Sequence, residues 1–176
     1  MDLYDGTYRI TSPYGKRNLP NGDNRFHPGI DYVGISSKTI IAPTNGKIVS
    51  SQIITNKNSI TWEWGNYIKM DDLNGYYLHF CHLNSRLVTN GQTVLKGQKI
   101  GVEGNTGYVI GDPGNHLHFE VRRIKDGVVI DPDEYAKILL QWYSDAVKKK
   151  YGFEDSTMTY LSLHPYPYDL FDKLLR

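Results

Sequence analysis

His116-Leu117-His118-Phe119-Glu120-Val121 alternates strictly between polar and apolar side chains. A period of two sends successive side chains to opposite faces of a strand. Leu117, Phe119 and Val121 therefore share one face, and His116, His118 and Glu120 share the other. The apolar face has a core to join. The polar face needs a separate reason, because two imidazoles side by side on one strand repel when charged. A bound metal or a catalytic pair supplies that reason.

On both sides of this stretch the chain keeps the same character. Short apolar runs at 39–42, 47–55, 59–64, 67–70, 76–80, 93–95, 99–102, 117–124 and 128–130 are separated by Gly and Asn punctuation. Many short strands with frequent turns predict a mainly β, antiparallel sheet or barrel-sandwich. Asn45-Gly46, Asn74-Gly75, Asn90-Gly91 and Asp126-Gly127 offer the positive-φ positions of tight hairpins. The pattern changes after residue 130. Asp131 is placed to cap a helix, Pro132 suits its first turn, and Asp133 and Glu134 suit its dipole. Tyr135, Ile138, Leu139, Trp142 and Ala146 follow helical spacing, with Gly152 as the stop. Beyond lies a mixed tail containing His164. The expected layout is a β domain over 1–131 and a helical and extended appendage over 132–176.

Composition excludes several classes. Lys plus Arg is 20 against 19 for Asp plus Glu, a net charge of +1, so global charge gives no basis for nucleic-acid binding. The single cysteine, Cys81, excludes an internal disulfide framework and a four-thiolate zinc site. No run approaches the ~20 apolar residues of a membrane helix, so no membrane insertion is expected. The opening Met1-Asp2-Leu3-Tyr4-Asp5-Gly6 shows no basic stretch followed by an apolar one, so no signal peptide is expected.

Five of the six histidines fall into three clusters in the β region. In His27-Pro28-Gly29-Ile30-Asp31, Pro and Gly oppose a helix, and an extended backbone lets His27 and Asp31 converge. His79 and His82 form the second cluster, and His116 and His118 the third. An odd offset within a strand puts His79 and His82 on opposite faces. By the same alternation Cys81 lies opposite His82, as a small core residue and not a nucleophile.

With these clusters the sequence resembles the lysostaphin-type, LytM-like zinc endopeptidases that cut peptidoglycan cross-bridges. The resemblance runs from about Ser12 to Val121. It is carried by Ser12-Pro13-Tyr14-Gly15-Lys16-Arg17, His27-Pro28-Gly29-Ile30-Asp31-Tyr32, Ala42-Pro43, Gly46-Lys47-Ile48-Val49, Gly65-Asn66-Tyr67-Ile68 and Gly75-Tyr76-Tyr77-Leu78. Phe80-Cys81-His82-Leu83, Gly91 to Gly101, Gly104-Asn105-Thr106-Gly107 and His116-Leu117-His118-Phe119-Glu120 complete it. The resemblance implies one zinc ion per chain on His27, Asp31 and His118, with His82 and His116 catalytic. Three protein ligands leave a fourth tetrahedral position for water, as in catalytic zinc sites. Of His82 and His116, one would move a proton and the other stabilise an oxyanion, and the sequence does not divide these roles. His79 is left with a surface or packing role, and His164 with a structural one.

The chain departs from the family pattern in places. Residues 108–115 form a loop about three residues longer than usual beside the expected groove. Trp62-Glu63-Trp64 reads as a hairpin with packed aromatics, or as a sugar or peptide contact. Glu120 has two readings, a carboxylate supporting a ligating His or a solvent-facing or salt-bridged strand residue. The resemblance implies action on peptidoglycan cross-link peptides in an extracellular, periplasmic or virion setting. The chain would be a phage tail or lysis enzyme, or an excised cell-wall hydrolase domain, with the appendage available for protein docking. The bond could be glycyl-glycine or D-alanyl to a diamino acid. Two alternatives are a non-catalytic binding or regulatory module on the same fold, and a biotinyl- or lipoyl-type carrier modified at Lys69.

Overall fold

The computed structural model describes residues 1–17, 25–109 and 114–151. The chain divides into two units, Met1–Glu134 and Tyr135–Arg176. Gly152 and His164, for which roles are expected above, lie outside the described residues.

The first unit is antiparallel β. In chain order its strands are β1 (Tyr8–Ser12), β2 (Gly15–Lys16), β3 (Phe26–His27), β4 (Ile30–Gly34), β5 (Thr39–Ile41), β6 (Gly46–Gln52) and β7 (Tyr67–Asp71). They continue with β8 (Tyr76–Cys81), β9 (Ser85–Arg86), β10 (Thr93–Val94), β11 (Lys99–Val102), β12 (Leu117–Arg123) and β13 (Val129–Ile130). The large sheet has the order β1-β4-β12-β8-β7-β6-β10, with β13 also paired to β12. A smaller sheet has the order β5-β11-β9, and β2 pairs with β3.

The alternation at 117–121 does what it predicts on one face. Leu117, Phe119 and Val121 are fully buried with Ile30, Ile48, Ile68, Met70, Leu78 and Ile100, and the Phe80 and Phe119 rings lie 5.1 Å apart. The other face is buried too, because β12 is a central strand between β4 and β8. Its register opposes His118 to Asp31 on β4 and to Cys81 on β8, and Glu120 to His79.

Three local expectations need correction. Residues 59–64 hold no strand: Trp62–Trp64 is a 3-10 turn, so the hairpin reading of Trp62-Glu63-Trp64 fails. Gly75, Gly91 and Gly127 take positive φ, but Gly46 does not. A Cβ on Gly46 would lie 2.4 Å from the Asp71 carbonyl oxygen, so that glycine is needed for close approach of β6 to β7. The apolar runs also omit β1 and β4. Strand β1 is largely exposed, and its alternation is confined to Tyr8 and Ile10.

The helix forms where its start signals stand. It spans Pro132–Tyr151 (α1), and Asp131 Oδ1 accepts the Asp133 N–H at 2.9 Å. Among the described residues no helix is long and apolar enough to cross a membrane.

Candidate metal centre and active site

Two segments far apart in sequence meet here, one carrying His27 and Asp31 and the other His118. His27 ends β3, Asp31 lies in β4, and His118 lies opposite Asp31 on β12. Gly29 permits this approach: a Cβ there would lie 2.4 Å from the Phe119 carbonyl oxygen and 2.9 Å from His118 Cε1. His27 Nε2 is 3.1 Å from Asp31 Oδ1, His118 Nδ1 is 2.8 Å from the same oxygen, and the two ring nitrogens are 3.0 Å apart.

The remaining polar atoms of this trio are held from outside. His27 Nδ1 donates to the Pro13 carbonyl at 2.8 Å, which leaves Nε2 as a lone pair facing inward. His118 Nε2 donates to Glu120 Oε1 at 2.9 Å, and Arg122 in turn donates to Glu120 Oε2 through Nε (2.8 Å) and Nη2 (2.6 Å). Arg17 Nη2 donates to Asp31 Oδ2 at 2.8 Å. The second carboxylate oxygen is thus occupied, and Oδ1 is left for the centre. His27 Nε2, Asp31 Oδ1 and His118 Nδ1 thus converge as three ligand atoms within reach of one metal ion. Two imidazoles and one carboxylate are a zinc-type donor set. Glu120 is 1% exposed, so its solvent-facing reading falls; its bonds to His118 and to Arg122 fit both the supporting and the salt-bridged readings.

His82 and His116 stand beside this trio. Their rings are 4.7 Å apart, His82 lies 5.7 Å from the His118 ring, and His116 Nε2 is 3.7 Å from Asp31 Oδ1. Each is pinned through Nδ1, His82 by the Thr106 carbonyl (2.8 Å) and His116 by the Gly114 carbonyl (2.6 Å). Each therefore keeps Nε2 as a lone pair. His82 sits just past the end of β8 at φ 61°, with its N–H donated to the Trp64 carbonyl at 2.7 Å. Strand alternation stops at Cys81, so it does not fix the face of His82. Cys81 shares a sheet face with His118, His79 and Glu120, and it is fully buried. His79 is likewise buried, packed edge-on against Trp64 at 4.8 Å.

Charge follows from these contacts. Burial favours neutral His82 and, with the neighbouring His116 and His118, pushes it down to about 3. For Asp31, burial is outweighed by bonds from His118 and His27, and its pKa falls well below the usual carboxylate range. For His118, burial opposes the charged ring, but hydrogen bonds to Asp31 and Glu120 outweigh it and raise the pKa to about 9. In metal-free protein the fold therefore holds a proton that the unfolded chain releases above about pH 6.5. That contribution is complete below about pH 6.5 and is lost as the pH rises through about 9. The melting temperature of chelator-treated protein is expected to fall across this window. The fall should vanish when zinc is restored, and a flat profile in the chelated protein would contradict the assignment.

A cleft of about 310 Å³ opens over the centre, with Phe26, Glu63, Trp64, Tyr108 and Val109 among its walls. The first residues of the longer loop, Tyr108 and Val109, therefore border the site. Residues 110–113 lie outside the described residues. Sequence reasoning assigned no role to Arg17, Arg122 or the carbonyls of Pro13, Thr106 and Gly114, because no spacing rule links them to the groups they hold.

The family description "Peptidase family M23" matches residues 25–132, and the chain belongs to that family. It is 35% identical over 114 residues to the peptidoglycan DD-endopeptidase ShyC of Vibrio cholerae, which covers 64% of this chain and 24% of that protein. The chain spans about a quarter of the length of such curated relatives. Its fold is similar to the catalytic domain of the prophage-encoded M23 protein EnpA from Enterococcus faecalis. The TM-score is 0.60 at 26% identity, over 75% of this chain and 94% of that one. It is also similar to the antimicrobial peptidase lysostaphin from Staphylococcus simulans, with a TM-score of 0.59 at 26% identity, over 75% of this chain and 51% of that one.

Proposed function

We propose that this chain is a zinc-dependent endopeptidase that hydrolyses peptide cross-links of bacterial peptidoglycan. The observation that carries the reading is the convergence of His27, Asp31 and His118 directly beside the two pinned imidazoles of His82 and His116, under an open cleft. In this reading residues 1–131 are the peptidase domain and 132–176 an appendage. The site of action is the cell wall, outside the cytoplasm. The prophage origin of EnpA favours a phage tail or lysis setting.

His27 Nε2, Asp31 Oδ1 and His118 Nδ1 would hold the zinc ion. Bound there, it supplies Lewis-acid polarisation of the scissile carbonyl and a lowered pKa for water. The chain's own residues do the rest. His82 and His116 present Nε2 lone pairs to the cleft, so each can accept a proton from the attacking water. Once protonated, each becomes a donor to the oxygen on which charge develops. Burial makes a charged His82 costly, so a proton taken there passes on to the leaving amine. Glu120 and Arg17 keep His118 and Asp31 in place throughout. Glu120→Gln is expected to weaken zinc affinity about 10- to 100-fold in equilibrium dialysis. Unchanged affinity would remove Glu120 from this role.

The direct test is mass spectrometry of fragments released from peptidoglycans of both cross-link types, with and without chelator. New amino termini whose release is blocked by chelator and restored by zinc are expected. No release from either substrate by folded, zinc-loaded protein would favour a binding or regulatory module on the same fold.

A further inference from the structure

The metal-side face of the sheet continues past Glu120 as a second set of polar side chains that catalysis does not use. Lys69, His79 and Glu120 lie in one cross-strand row over β7, β8 and β12, and Tyr77 and Arg122 face each other in the next. The Lys69 ammonium sits 3.8 Å from the centre of the Tyr77 ring, and the Arg122 guanidinium lies 5.7 Å from the centre of the Trp64 ring. Trp64 is a wall of the cleft, so this pair begins where the cleft wall ends.

Nitrogen donors outnumber acceptors here. Glu120 is committed to His118 and Arg122. Asp71, on the same face, accepts the Leu73 N–H of its own turn. Lys69 has no carboxylate partner among the described residues. His79, 2% exposed, has neither ring nitrogen hydrogen-bonded. Burial and then the charge of Arg122 lower the Lys69 pKa, as expected for a half-buried ammonium near a second cation whose own carboxylate partner, Glu120, is already engaged.

We propose that Lys69 and Arg122, beside Trp64 and over His79, form a carboxylate-binding subsite for the substrate peptide. This rests on the peptidoglycan reading. His118 and Arg122 are four residues apart on one strand, about 13 Å. An extended peptide covers about 3.3–3.6 Å per residue, so the subsite meets a group about four residues from the bond cleaved. Stem peptides carry free carboxylates within that range, on the diamino acid and its acidic neighbour. A glycine bridge carries none. Ammonium and guanidinium together hold a carboxylate by charge-assisted hydrogen bonds.

The test uses the full, zinc-loaded chain and two probes, a synthetic stem tetrapeptide with free carboxylates and the same peptide amidated. Calorimetry should show the acidic peptide binding about tenfold more tightly, with the difference shrinking as salt rises. Lys69→Gln should abolish the difference and Lys69→Arg should keep it. Equal binding of the two probes to the unmodified chain, or a preference that survives in Lys69→Gln or is lost in Lys69→Arg, would overturn the subsite. Chelator-sensitive release of fragments without any acidic preference would sink the subsite alone. Absence of release would instead sink the activity.

Discussion

Alanine at His82 or at His116 is expected to leave one zinc per chain and to lower turnover about 10²- to 10⁴-fold. Neither ring is in the converging trio, and each is pinned by a backbone carbonyl. Under the proposed function, removing either therefore takes away a proton-transfer group without opening the metal site. His118→Ala should behave differently and lose the metal, because Nδ1 is one of three converging donors and Glu120 would be left buried without its main partner. Metal analysis and single-turnover kinetics on the three proteins separate these outcomes. Full activity in His82→Ala, with loss in His79→Ala, would transfer the role to the wrong member of that pair. The structure argues against such a transfer, since the His79 ring is sealed under Trp64.

Glu103→Ala is expected to cost about 3 kcal/mol of folding stability, read as a lower urea midpoint at unchanged slope. The Glu103 side chain is fully buried and takes three donors: the Tyr4 hydroxyl (2.6 Å), the Gly34 N–H (2.7 Å) and Lys38 Nζ (2.7 Å). Alanine strands the Gly34 N–H away from water and leaves the Tyr4 hydroxyl only the longer bond to the Tyr32 carbonyl (3.1 Å). Lys38 is 47% exposed and can rehydrate, which sets the loss at the low end for a broken buried pair. Glu103→Gln, which keeps an acceptor, should lose less. A loss below about 1 kcal/mol for Glu103→Ala would mean that water reaches this network. The effect should be on stability, because Tyr4, Gly34, Lys38 and Glu103 are not among the residues that line the cleft.

The site was legible to different depths. Its candidate residues were on the page, and the family resemblance supplied their expected roles. Some carried a local sign as well, the alternation around His116 and His118 or the Pro-Gly break after His27. The supporting shell carried none. Arg17 reaches Asp31 across fourteen positions that include a segment outside the described residues, and the acceptors of His27, His82 and His116 are backbone carbonyls. A carbonyl belongs to every residue, so composition and spacing cannot single one out. Glu103 was equally silent: it lies just past the end of a short strand, and its partners at Tyr4 and Gly34 lie far off in the chain.

By itself the sequence determined what depends on neighbours in the chain. Period-two alternation set the apolar core face of β12, three of the four Asn/Asp-Gly pairs set turns at positive φ, and Asp131 with Pro132 set the start of α1. Each depends on torsional and capping preferences acting within a few residues. Only the tertiary structure decided which side chains face one another. Strand register brought His118 opposite Asp31, and Glu120 opposite His79. A left-handed backbone at His82 turned that ring toward His116 where alternation had ended. The Trp62–Trp64 turn replaced an expected strand, and its Trp64 carbonyl accepts the His82 N–H. Contacts of this kind join residues tens of positions apart. They depend on which strands pair and in what register, and that choice is made by the whole core at once.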